Sequence, residues 1–152
     1  MLPDRFPASA GEAAHEREPY ADELRLALKT VADPHPALRS RQAHIIDLPE
    51  LCPASRNPGA GSLLCIRYRS HGRFLEIFSL AEYIRAFVGH PIVRDVEMLT
   101  QIVAMDCAQV LGHKVRVRAL YRLPALGQQV RTQVVARPRS TPMRPAVGGP
   151  RP

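Results

Sequence analysis

Tryptophan is absent from this chain of 152 residues, and aromatic side chains make up only 5% of it. That scarcity excludes an RNA platform of the kind that stacks bases on several exposed rings. Cysteine occurs three times, at Cys52, Cys65 and Cys107. Three thiols cannot all pair, and their positions suggest no disulfide framework. No apolar run is long enough to span a membrane, and no signal-type apolar segment follows Met1. The expectation is therefore a reduced, cytoplasmic protein without a membrane partner. There is also no G-x-G-x-x-G, no histidine or cysteine pair at zincin or zinc-finger spacing, and no internal repeat. Neither a resident metal nor a dinucleotide bound by a glycine-rich turn is expected.

What is present suits one soluble domain. Hydrophobic residues make up 45% and charged residues 23%, ordinary values for a globular chain with a real core. The formal charge is +7 and the pI about 10, which favours an anionic partner such as nucleic acid, phosphate or a nucleotide. Residues 1–19 are rich in Pro, Ala, Glu and Arg and lack periodicity, as an N-terminal disordered arm would. Residues 137–152 form a Pro-, Arg- and Gly-rich tail with no means of burying a core. The folded domain is expected over 20–136.

Within it, Leu24, Leu28 and Val31 recur at helical spacing, which predicts a helix from Tyr20 to Val31 that ends before Asp33-Pro34-His35-Pro36. Arg39 to Leu48 reads as a first strand, and Leu63 to Arg69 as a second with clean alternation. Ser70-His71-Gly72-Arg73 reads as a hairpin turn into a short strand, Phe74 to Phe78. Ser79-Leu80-Ala81-Glu82 has capping-box spacing, and the helix it opens turns Leu80, Tyr83, Ile84 and Phe87 inward. A longer helix is expected from about Val93 to Leu111, burying Val96, Leu99, Val103, Cys107 and Val110, with Gly112 after its end. His113 to Arg122 and Gln129 to Ala136 complete the set as alternating strands.

The resulting ββααββ order predicts an α+β domain: an antiparallel sheet with two helices on one face. Its other face is expected to carry Arg67, Arg69, Arg116, Arg118 and Arg131. That face is either solvated or the bore of a barrel made by several copies joined edge to edge, which would also remove exposed edges.

The chemistry centres on Leu51-Cys52-Pro53-Ala54-Ser55-Arg56-Asn57-Pro58-Gly59, a Pro- and Gly-punctuated loop between strands. Cys52 is neither half of a C-x-x-C pair nor part of a helical apolar face. It reads as a nucleophile presented by a loop, or as a small buried hydrophobe.

Here a family resemblance enters. Leu51-Cys52-Pro53 with Pro58 resembles the L-C-P-x-T-G-x-P-D segment of the NADPH-dependent 7-cyano-7-deazaguanine reductases, the QueF family. Asp33-Pro34-His35-Pro36 resembles that family's N-P-x-P. The stretch Leu75-Glu76-Ile77-Phe78-Ser79-Leu80-Ala81-Glu82-Tyr83 is similar to V-E-S-K-S-L-K-L-Y, and Gly89-His90-Pro91-Ile92-Val93-Arg94-Asp95 to N-H-G-x-F-H-E. The likeness runs from about Thr30 to Gln133 in the right order. It implies the tunnelling fold (T-fold), a homo-oligomeric barrel, and a site between subunits.

It further implies that Cys52 is the catalytic thiol that adds to a nitrile and forms a thioimidate. Leu75, Glu76, Ile77, Arg94 and Asp95 fall in the substrate-binding segments, where carboxylates accept the N–H edge of a guanine-like base. Several positions depart from the pattern. Gly59 stands where the family has its proton-donating Asp, Phe78 and Ala81 replace two lysines, and Ala125 replaces an Arg that meets the dinucleotide.

The expectation is therefore a QueF-like enzyme of 7-deazaguanine (queuosine- or archaeosine-type) metabolism that acts on 7-cyano-7-deazaguanine, free or in nucleic acid. Its second nucleophile would be ammonia, with no cofactor. The alternatives are a true NADPH-dependent reductase and a non-catalytic T-fold binder of purine or nucleic acid.

Overall fold

The computed structural model describes residues 24, 25 and 27–140. Among the described residues six strands occur, β1 (Thr30–Ala32), β2 (Arg41–Asp47), β3 (Leu63–Arg69), β4 (Arg73–Leu75), β5 (Val115–Leu123) and β6 (Gln128–Ala136). Two helices, α1 (Ile77–Arg85) and α2 (Val96–Leu111), lie between β4 and β5. The domain is α+β, with a main antiparallel sheet in the order β2-β3-β5-β6 and a separate β1-β4 pair.

Alternation sets the layering. On β3 Leu64, Ile66 and Tyr68 are buried, as are Val115, Val117, Ala119 and Tyr121 on β5, while the arginines between them are exposed. A sheet wetted on one face packs its apolar face on the helices, and α1 and α2 supply Leu80, Tyr83, Ile84, Leu99, Val103 and Cys107 to the same core. Two polar pairs lie within that core. Tyr83 Oη donates to Asp106 Oδ2 at 2.7 Å, and the hydroxyls of Thr100 and Tyr121 share a short hydrogen bond.

Four boundaries differ from the sequence expectation. The helix expected to reach Val31 stops earlier. Leu24, Arg25 and Ala27 are helical, but Thr30–Ala32 pair with Arg73–Leu75, and Val31 is 45% exposed. The start of that expected helix, Tyr20 to Glu23, lies outside the described residues. Pairing of β-branched residues with a distant strand has overridden local helical spacing.

For the same reason Ser70–Arg73 does not close a hairpin: β4 leaves β3 and pairs with β1. The strand expected over Phe74–Phe78 ends at Leu75, because the cap of α1 lies three residues before the expected Ser79. Glu76 is the N-cap, its two carboxylate oxygens accepting the N–H groups of Phe78 at 2.8 Å and Ser79 at 2.7 Å. Ser79 is instead inside the helix, where its Oγ accepts the Lys29 N–H at 3.0 Å and ties β1 to α1. Likewise α2 starts at Val96, not Val93, capped by Asp95 Oδ1 on the Met98 N–H at 2.7 Å. Its other end closes on Gly112, in the left-handed conformation at φ 76°.

Candidate functional site

The Cys52 loop is the long connection from β2 to β3, and its ends are pinned together. The Leu48 N–H donates to Ser62 O at 2.9 Å, and the buried Ser62 hydroxyl donates to Gly59 O at 2.7 Å while accepting the Arg122 N–H at 2.9 Å. The Gly59 N–H donates to Arg122 O at 2.7 Å. Inside this frame, Leu51 is buried at 2% exposure and acts as the apolar anchor. The N–H groups of Leu51 and Cys52 both donate to Asn57 O, at 2.8 and 3.0 Å, and the Arg56 N–H returns to Cys52 O at 2.8 Å. Arg56 takes a positive φ of 57° to close that turn. From outside, the Gly89 N–H donates to Leu51 O at 2.7 Å, so the connection between α1 and α2 braces the loop.

Cys52 therefore sits at the lip of a tight turn, half-exposed. The Ser55 hydroxyl and the backbone of Ser55 and Ala54 hold the thiol below the ordinary cysteine range, with the Arg94 cation adding to the effect. A lowered thiol favours thiolate, the nucleophilic form. Of the other two cysteines, Cys107 is fully buried and burial pushes its thiol well up. Cys65 lies half-buried on the outer face of the sheet, opposite Arg118.

The five substrate-side candidates are not equivalent. Arg94 is exposed, and its charge reaches Cys52. Glu76 and Asp95 cap α1 and α2. Two backbone N–H groups hold the Glu76 carboxyl below its usual range. Leu75 is core at 2% exposure, whereas Ile77 is 61% exposed.

The departures also acquire a physical reading. A Cβ at Gly59 would lie 2.7 Å from both Cδ and Cγ of Pro124, so residue 59 has no room for a carboxyl. Pro124 opens the short turn Pro124–Leu126 that carries Ala125, which places two of the departures side by side. Phe78 stands 74% exposed on α1 where a lysine was expected from the resemblance.

Sequence reasoning missed Ser55, whose hydroxyl is the largest influence on the thiol. The signal was its spacing, three residues after Cys52, which is one turn of chain. His90 Nδ1 accepts the N–H groups of Ile92 at 3.2 Å and Val93 at 2.9 Å, and the His113 ring packs against His71 with centroids 4.7 Å apart. Among the described residues, no three His, Cys, Asp or Glu side chains are grouped to hold a metal ion. No described helix is long and apolar enough to cross a membrane.

A concavity of about 440 Å³ opens elsewhere, on the outer sheet face between β3, β5 and β6, and takes no wall from the Cys52 loop. No family model matches the chain, and no curated protein matches it.

Proposed function

We propose that this chain is a QueF-like enzyme of 7-deazaguanine metabolism in which Cys52 attacks the nitrile of a 7-cyano-7-deazaguanine group. One observation carries the reading: the half-exposed Cys52 thiol is drawn toward thiolate by Ser55, Ala54 and Arg94. The sulfur adds to the nitrile carbon, one C–N π bond opens onto nitrogen, and water supplies the proton that completes a thioimidate. Ammonia then adds to that carbon and the thiolate departs. Nitrile and ammonia become an amidine with no change in oxidation level.

One point favours ammonia over hydride. A dinucleotide phosphate needs cations or free amides, and positions 78, 81 and 125 present Phe, Ala and Ala. The acid absent from position 59, whose space Pro124 fills, would serve either nucleophile, so the proton comes from water. Glu76 can still grip a heterocycle while capping α1, because a carboxylate has about four acceptor sites and the helix uses two. Arg94 is close enough for its charge to bear on Cys52, and Asp95 follows it in sequence as the cap of α2. The T-fold reading sets Glu76 of a neighbouring protomer over Cys52 in a homo-oligomer.

Incubation with 7-cyano-7-deazaguanine and intact-mass measurement test this reading. The wild type is expected to gain one nitrile mass, and Cys52→Ala none. Equal masses for the two proteins would remove nitrile chemistry, and loss of NADPH absorbance with the nitrile present would favour the reductase.

A further inference from the structure

The outer face of the main sheet concentrates positive charge far beyond what solubility requires. Strand register fixes which side chains stand side by side. Arg41 is opposite Arg69 on β2 and β3, and Arg67 is opposite Arg116 on β3 and β5. Arg118 and Arg122 continue the row along β5, and Arg131 joins from β6 opposite Leu120. All of these arginines are exposed, and among the described residues no salt bridge involves them. One acid, Asp47, shares the face, at the end of β2 opposite Leu63.

Like charges directly opposed across strands cost stability. Two such pairs on a single face are a feature that folding opposes and that a polyanion would relieve. Neighbouring strands lie ~4.8 Å apart and alternate residues ~7 Å apart, so the guanidinium groups form a lattice rather than a single point of charge. Arginine forks suit phosphate oxygens in particular. The concavity in this face is lined by Leu63, Cys65 and Leu120 together with Arg118, Arg131 and Gln133, the last accepting from Arg118 Nε at 2.6 Å.

From this face we infer a binding surface for the phosphate backbone of a nucleic-acid duplex. Besides the arginines the side chains there are Ala43, Ile45, Asp47, Leu63, Cys65, Leu120, Gln129, Gln133 and Val135, with no aromatic ring among them. Binding therefore reads charge and spacing, not bases, and a duplex suits it better than a single strand that would need stacking partners.

The test uses the full chain and a mixed-sequence duplex RNA of about two helical turns, titrated by fluorescence anisotropy across a range of potassium chloride. The logarithm of affinity should fall against the logarithm of salt with a slope of about −4, as expected for four or five phosphate contacts. Arg67→Gln with Arg116→Gln should make the slope shallower by about 2. The melting temperature of that variant should be unchanged or higher, since one opposed pair is gone. Cys52→Ala should bind as the wild type does.

Three results would overturn the inference. One is no measurable binding at low salt. Another is a double variant that binds with an unaltered slope while Arg137→Gln, Arg139→Gln, Arg144→Gln and Arg151→Gln together abolish binding, which assigns the affinity to the tail. The third is competition by polyglutamate as effective as by duplex, which reduces the face to a generic cation patch open to acidic proteins.

Discussion

Replacement of Gly59 probes the frame of the Cys52 loop and the missing acid together. Gly59 has no left-handed φ, so its backbone accepts any residue and the effect of a side chain is one of contact alone. An added methyl group would meet Cδ and Cγ of Pro124 at 2.7 Å and Arg122 O at 3.3 Å. Pro124 cannot rotate away, since its ring is fixed to the backbone and opens the turn into β6. Overpacking of this kind costs about 1–3 kcal/mol. At this size each kcal/mol lowers the melting temperature by roughly 4 °C, so Gly59→Ala should melt about 4–12 °C below the wild type. Gly59→Asp should lose more, because its carboxylate enters a buried position.

Pro124→Ala removes the two ring atoms involved, and a double-mutant cycle should return a coupling of about 1–2 kcal/mol in the rescuing direction. Thermal unfolding followed by circular dichroism measures all four proteins. Should Gly59→Ala lie within about 0.5 kcal/mol of the wild type, as harmless substitutions do, the space beside Pro124 would be open. The account of why this loop holds no acid would then fail.

Other consequences are quickly stated. Alkylation by iodoacetamide, mapped by mass, should modify Cys52 ahead of Cys65 and Cys107, with a midpoint below that of an ordinary thiol; Ser55→Ala should move that midpoint upward, and Cys107 should react only on unfolding. Burial holds His44 and His113 below the ordinary imidazole value of 6.5 in the folded protein. The unfolded chain then binds protons that the folded one does not as pH falls through 6.5, so stability should rise with pH across that window and decline beneath it. Denaturant midpoints from pH 5 to pH 8 check this, and a flat profile would contradict the burial of the two rings. Asp95→Ala should cost about 1 kcal/mol by uncapping α2, and Asp95→Asn almost nothing.

The elements that could be read from sequence are those whose pattern is decided locally. β3 and β5 alternate a buried residue with a more exposed one, so the faces of Arg67, Arg69, Arg116 and Arg118 follow from period two alone. The apolar stripe of α2 and its Gly112 stop were legible for the same reason. What failed was decided by partners distant in the chain. Thr30–Ala32 is a strand only because Arg73–Leu75 lies beside it, and a Glu cap on α1 outcompetes a well-spaced Ser because its two oxygens reach two amides. At the site, the identity of Cys52 was visible while its electrostatics were not. Ser55 becomes a partner only once the Asn57 carbonyl has folded the loop back, and Arg94 only once the chain after α1 crosses behind it.

The central claim is that the Cys52 sulfur forms a bond to a nitrile carbon. Substrate labelled with carbon-13 at that carbon, observed by NMR with stoichiometric protein, reads this bond directly. A new resonance in the thioimidate region with wild type, absent with Cys52→Ser, is the expected result; a nitrile signal that both proteins leave unshifted would contradict it.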